Sequence, residues 1–168
     1  VDGDQIDDMS MDRLRLAMGG SAAVMVMLDS VNSASLEEIY HQLERYFEIN
    51  RNPRPILIAA NKVDVLDVVQ ARLKGISVVE QVVEEVKLAP EGILADPKRR
   101  MQYINRLQGT LQGLGPEDLL FESSLRVMSG EIERRFGRAP YLFMSAETGR
   151  NVKQVFRRLA KLTAPKDE

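Results

Sequence analysis

The chain has no cysteine, no tryptophan and one histidine, His41, in 168 residues. Without cysteine there is no disulfide, no thiolate nucleophile and no zinc ribbon or finger. His41 falls inside a helical pattern; it leaves no basis for a histidine metal site and reads as a solvated helix residue. Aromatics are scarce, at 5 Phe and 4 Tyr, which argues against a stacking platform for single-stranded nucleic acid. A formal net charge of -2 argues against a broadly electrostatic nucleic-acid binder, leaving only local basic patches. No apolar run approaches the roughly 18 residues of a membrane span, and no secretory leader is visible. None of the 11 glycines opens a G-x-x-x-x-G-K-S/T run, so the sequence contains no phosphate-cradling loop. Ser145 has no histidine nearby in sequence, and nothing supports a nucleophilic triad.

What is present is ordinary soluble-domain material, 44% apolar and 29% charged, enough for a single domain with a real core. Polar residues 1–20 carry Met-rich helical character around Met9 to Met18. The unbroken apolar run from Ser21 to Leu28 predicts a central buried strand. Ser35-Leu-Glu-Glu38 has the form of a capping box, and Leu36, Ile39, Tyr40, Leu43 and Phe47 then share one helix face. Two prolines close that helix before a second apolar run, Ile56 to Ala60. A third, Tyr141 to Met144, precedes an amphipathic helix from Asn151 to Leu162 with Val152, Val155, Phe156, Leu159 and Leu162 inward. Strand, helix and strand in this order predict an α/β fold built on a mostly parallel sheet with flanking helices.

Between the second and third strands the pattern is helical. Val65 to Gly75 and Ser77 to Lys87 read as helices, the latter with Val78, Val79, Val82, Val83 and Val86 on a wide apolar face. Asp96-Pro97 is an N-cap with proline at the first helical position, opening Lys98 to Leu111 with Met101, Ile104, Leu107 and Leu111 in phase. Pro116 is expected to open a long helix closed by Gly137, with Phe121, Leu125, Met128, Ile132 and Phe136 along one side. The adjacent carboxylates Glu84-Glu85 and Asp7-Asp8 read as solvated. These helices present more apolar face than a small sheet covers. They either pack on themselves or dock a partner, and sequence leaves that choice open.

Two segments carry chemistry. Pro55-Ile-Leu-Ile-Ala-Ala ends in Asn61-Lys62-Val63-Asp64, and Pro140-Tyr-Leu-Phe-Met ends in Ser145-Ala146-Glu147-Thr148-Gly149. Ligands of open α/β sheets bind beyond strand C-termini, where both segments place polar residues. Each alone is also what an ordinary βα unit of another α/β protein would show. Together, in this order, the strand with N-K-x-D and the strand with S-A-x, followed by Thr-Gly-Arg-Asn-Val, resemble the Ras-like and translation-factor P-loop GTPases.

The resemblance covers about residues 5–64 and 139–163 and implies the rear portion of such a domain, from its second switch to its last helix. It implies guanine recognition by Asn61, Lys62, Asp64, Ser145, Ala146 and Glu147. Asp64 would accept two N–H bonds from the base edge, Asn61 and the Lys62 stem would brace it, and the Ala146 N–H would meet the guanine O6. Glu147 departs from the commoner lysine. The implied ligand is GTP or GDP, with Mg²⁺ only if a phosphate-binding half is present; that half either lies before Val1 or has been lost. Gln5 sits near the expected place of the water-orienting glutamine, in letters that do not match cleanly, so no catalytic residue is assigned. The whole chain then reads as one GTPase-like domain with a helical insertion at about 65–138. Expected partners are a guanine nucleotide and a protein bound through the inserted helices. RNA could be met through the basic clusters at Lys98-Arg99-Arg100 and Arg134-Arg135, and no membrane span is expected. The alternative is a non-enzymatic GTPase-like scaffold or docking subunit.

Overall fold

The computed structural model describes residues 22–49 and 54–164. Strands β1 (Val24–Asp29), β2 (Ile56–Asn61) and β3 (Tyr141–Phe143) form one parallel sheet in the order β1-β2-β3. Val24 lies opposite Ile56 and Asp29 opposite Asn61, while Ile58 to Ala60 face Tyr141 to Phe143. Helix α1 (Ala34–Ile49) joins β1 to β2. Helices α2 (Val63–Leu73), α3 (Val78–Leu88), α4 (Pro97–Thr110) and α5 (Glu122–Phe136) precede β3, and α6 (Val152–Thr163) follows it. The chain is an α/β protein with flanking helices, as its apolar pattern requires.

Alternate residues of each strand enter opposite layers, as a period of two dictates. Val26, Leu28, Ile56, Ile58 and Ala60 pack with Leu43 and Phe47 of α1 and with Leu125, Met128 and Ile132 of α5. On the other face Leu57, Ala59 and Met144 meet Val155 of α6. β2 is thus covered on both sides. Among the described residues β1 lies at the sheet edge and not at its centre as its apolar run suggests: it pairs there only with β2, and Met27 is 48% exposed. Phe156, expected inward on α6, is also exposed.

The inserted helices pack largely on one another. Val65, Leu66 and Val69 of α2, Val82 of α3, and Tyr103, Ile104 and Leu107 of α4 form a separate core with Leu94, Leu111 and Leu119. Helix α5 is different, because it covers the sheet; the self-packed part of the insertion ends near Leu119. The valine face of α3 also divides. Val82 is buried, Val78 and Val86 pack at the margin, and Val79 and Val83 stay exposed. Met101 is exposed as well, because the buried face of α4 centres on Tyr103 and Leu107.

Helix starts follow tertiary ties more than local signals. Asp96 caps α4 as expected, accepting the Lys98 N–H at 3.0 Å beside Pro97. Ser35 does not cap α1. The helix already begins at Ala34, because the Ser33 N–H and hydroxyl donate to the carbonyls of Asp118 and Glu117. The Ser35 hydroxyl instead donates to the Asn32 carbonyl at 2.7 Å. The working capping box is Ser77 with Glu80, whose side chains each accept the other's backbone N–H. Pro116 opens only a short 3-10 turn, Pro116–Asp118. Leu119 and Leu120 are buried beyond it, and the Leu120 N–H donates to the Ser30 carbonyl at 2.9 Å. That tie holds the chain extended, so α5 starts at Glu122 and Phe121 sits exposed at its N-cap.

Leu125 has 0% exposure at the junction of α5 with the sheet, whereas Met101 is 58% exposed. Leu125→Ala is expected to lower unfolding free energy by about 2–5 kcal/mol. Met101→Ala is expected to change it by less than about 0.5 kcal/mol, both read by urea denaturation.

Candidate functional site

A parallel sheet delivers the C-terminal ends of all its strands to one edge, and both motif segments meet there. Met144 N–H donates to the Ala60 carbonyl at 2.8 Å, and Val63 N–H to the Met144 carbonyl at 3.0 Å. Ala146 N–H donates to Asn61 Oδ1 at 2.9 Å. The Asn61 side chain therefore pins the second loop to the end of β2. It also occupies the N–H expected to meet a base oxygen.

Lys62 turns the chain from β2 into α2 with φ 66°, in the left-handed region. For a lysine this costs roughly 1–2 kcal/mol, so the surroundings must hold it. Its ammonium lies 2.6 Å from Asp29 Oδ2, and Asp29 Oδ1 accepts the Val31 N–H at 3.1 Å. The left-handed residue lets α2 begin at Val63 and places Asp64 in its first turn, where the helix dipole favours a carboxylate. Asp64 is only 2% exposed. Its Oδ2 accepts a hydrogen bond from the Tyr103 hydroxyl on α4, and its Oδ1 is buried without a partner among the described residues. An unpartnered buried carboxylate oxygen is energetically costly.

The second loop is held from inside. Ser145 Oγ accepts the Thr148 N–H at 3.1 Å, and the Ser145 N–H donates to the Arg150 carbonyl at 3.0 Å. Asn151, at φ 60°, starts α6 and donates from Nδ2 to the Phe143 carbonyl at 2.9 Å. The Thr148 hydroxyl donates to Glu85 Oε1 at 2.7 Å, and Arg150 pairs with both Asp67 and Glu85. Glu85 is therefore no solvated carboxylate: it is 2% exposed and anchors α3 to the loop. A Cβ at Gly92 would run into the Thr148 carbonyl oxygen, so the chain after α3 also lies hard against it.

All six expected residues, Asn61, Lys62, Asp64, Ser145, Ala146 and Glu147, line one cavity of about 340 Å³. Most of the remaining wall comes from α4, as Tyr103, Arg106, Leu107 and Thr110. Arg106 pairs with Glu147, and its guanidinium lies 5.8 Å from the Tyr103 ring centroid. Burial first, and then the Asp64 charge, push the Tyr103 hydroxyl far above the ordinary tyrosine range. Gln5 lies outside the described residues, as do Asp7 and Asp8.

Sequence reasoning missed Tyr103, Arg106, Glu85 and Asp67. Only Glu85 carried a signal: it interrupts the apolar Val78, Val82, Val86 stripe of α3, where a carboxylate needs a partner. A larger groove of about 680 Å³ lies between α1 and α5, lined by Leu36, Tyr40, His41 and Val127 among others. It contains none of the motif residues, and His41 is well exposed there. The basic clusters are partly spent locally. Arg99 pairs with Asp96, Arg100 donates to the Leu94 carbonyl, and Arg135 pairs with Glu44.

No protein-family model matches the chain, and no curated protein matches it in sequence. Among the described residues no helix is long and apolar enough to cross a membrane. No three His, Asp or Glu side chains among them gather as a metal site.

Arg150→Met leaves Asp67 and Glu85 facing each other without a counter-charge. Because the arginine side chain is 23% exposed, the expected loss is roughly 2–3 kcal/mol in urea, below that of a fully buried pair. Tyr103 gives a pH signature. Its folded pKa is raised, so its contribution is complete below the unfolded value of about 10 and declines as pH rises above it. Between pH 8 and 11 the wild type should lose more stability than Tyr103→Phe, measured as the shift in urea midpoint.

Proposed function

We propose that the cavity at the C-terminal edge of the sheet recognises a guanine base, and that the chain is the base-reading portion of a Ras-like GTPase-type domain. The observation that carries this reading is the Asp64 carboxylate, buried on the cavity wall with one oxygen unpartnered among the described residues. Such an acceptor suits a ligand that brings N–H donors. Guanine offers two side by side, at N1 and the 2-amino group, and a carboxylate takes them in parallel.

Further support comes from placement. Two motifs more than eighty residues apart in sequence contribute to one wall, at the strand ends where open α/β sheets hold ligands. The cavity, about 340 Å³, is near the lower limit of the roughly 300–1,000 Å³ typical of ligand pockets, which suits a base more than a whole nucleoside triphosphate. In this reading Asp64 takes the two donors, and Ala146 N–H turns from Asn61 Oδ1 to the base oxygen. Lys62, held to Asp29, keeps the turn in place. Serine 145 and Glu147 shape the second loop. GTP or GDP is the proposed ligand class through its base. Hydrolysis and Mg²⁺ would require a phosphate-cradling loop, which this sequence does not contain, so the proposal stops at binding.

A second reading, a docking module without catalysis, rests on the exposed apolar residues Ile76, Val79 and Val83 at the start of and along α3. RNA as a partner has weaker support, because Arg99, Arg100 and Arg135 already have partners in the fold.

Guanosine and xanthosine titrated against the full chain and Asp64→Asn provide the test. The wild type is expected to prefer guanosine and the variant to shift toward xanthosine, because the carboxamide exchanges one acceptor for a donor. Equal guanosine affinity in both proteins would remove Asp64 from the site and end the assignment.

A further inference from the structure

Asp64 lines the cavity, yet its carboxylate is almost inaccessible, because helix α4 of the insertion lies over it. The Tyr103 hydroxyl donates to one of its two oxygens. Three residues on, Arg106 pairs with Glu147 of the other loop. Spacing of three places both side chains on one face of the helix. A single surface of α4 thus grips the residue after β2 that would read base donors and the loop after β3 that would meet the base oxygen. Tyr103 is 4% exposed and packs with Ile104 and Leu107 in the core of the insertion, so its hydroxyl cannot move without the helix that carries it. The other recognition group is also internally engaged, with Ala146 N–H on Asn61 Oδ1.

We propose that α4 is a strap across the base pocket, in which the Tyr103 hydroxyl and a purine base compete for the Asp64 carboxylate. The inference rests on the base-binding reading of the site and adds its regulation. Guanine brings two donors where Tyr103 brings one, and it also satisfies the oxygen left unpartnered in the closed arrangement. The exchange is therefore favourable once α4 yields. By linkage, whatever holds α4 down lowers affinity for the base, and the base in turn loosens α4. The insertion then senses whether the pocket is filled.

The test uses the full chain, its Tyr103→Phe variant, and guanosine and inosine as probes, followed by NMR chemical shifts. Phenylalanine keeps the ring packing and removes only the competing hydroxyl. Affinity for both nucleosides is expected to rise by the same factor, on the order of tenfold, as for one hydrogen bond to a charged group. With no tryptophan in the chain, tyrosine emission is readable directly. Saturating guanosine should change it in the wild type and much less in the variant. Guanosine binding of equal strength in both proteins overturns the strap while leaving the base reading intact. A changed guanosine-to-inosine ratio overturns it too, since Tyr103 would then contact the base. If neither protein binds either nucleoside, the base reading itself falls, and the strap with it.

Discussion

The Arg150 guanidinium, held between Asp67 and Glu85, is the interaction on which the arrangement of the site depends. It joins three parts of the molecule that are far apart in sequence. Arg150 follows the loop after β3, Asp67 lies in the first half of α2, and Glu85 comes from α3 of the insertion. Desolvating a cation and two carboxylates is unfavourable unless the hydrogen bonds are made, and here they are: Thr148 donates its hydroxyl to Glu85 as well. The loop that holds Ser145, Ala146 and Glu147 is therefore positioned by charges on two other helices, in addition to its own turn.

That arrangement explains which parts of the protein were legible in its sequence. The three apolar runs and the apolar faces of α1 and, from Leu125 on, of α5 followed from the sequence pattern, because burial against a sheet sets side-chain patterns locally. The site residues from Asn61 to Asp64 and from Ser145 to Glu147 were legible for the same reason: they follow strands directly, and a parallel sheet brings strand ends together. Helix starts were less readable. Ser-x-x-Glu occurs at Ser35 and at Ser77, and only the second caps a helix, because a contact with Glu117 and Asp118, far along the chain, starts α1 one residue before Ser35.

Apart from Glu85, the partners of the site residues were not legible. Tyr103 and Asp64 are separated by 39 residues, and Arg106 and Glu147 by 41. No local pattern announces such pairs. Tyr103 was not among the apolar positions read in phase on α4, and Glu85 looked like half of a solvated acidic pair. Burial changes both readings, since a carboxylate inside a core must find a donor and a buried hydroxyl must find an acceptor. Each did so across the boundary between the sheet and the insertion.

The two cores on either side of that boundary divide the molecule into two packing units. The insertion leaves the sheet after β2 at Val63 and returns at Leu120, whose N–H bonds Ser30 at the end of the neighbouring strand. Its ends are therefore fastened close together, and its apolar residues mostly contact one another. Such a unit can open as a cooperative block while β2, buried on both faces, keeps the sheet together. The candidate pocket lies on the seam between the two units, so access to the buried Asp64 carboxylate is governed by the free energy of that partial opening and not by the stability of the whole chain.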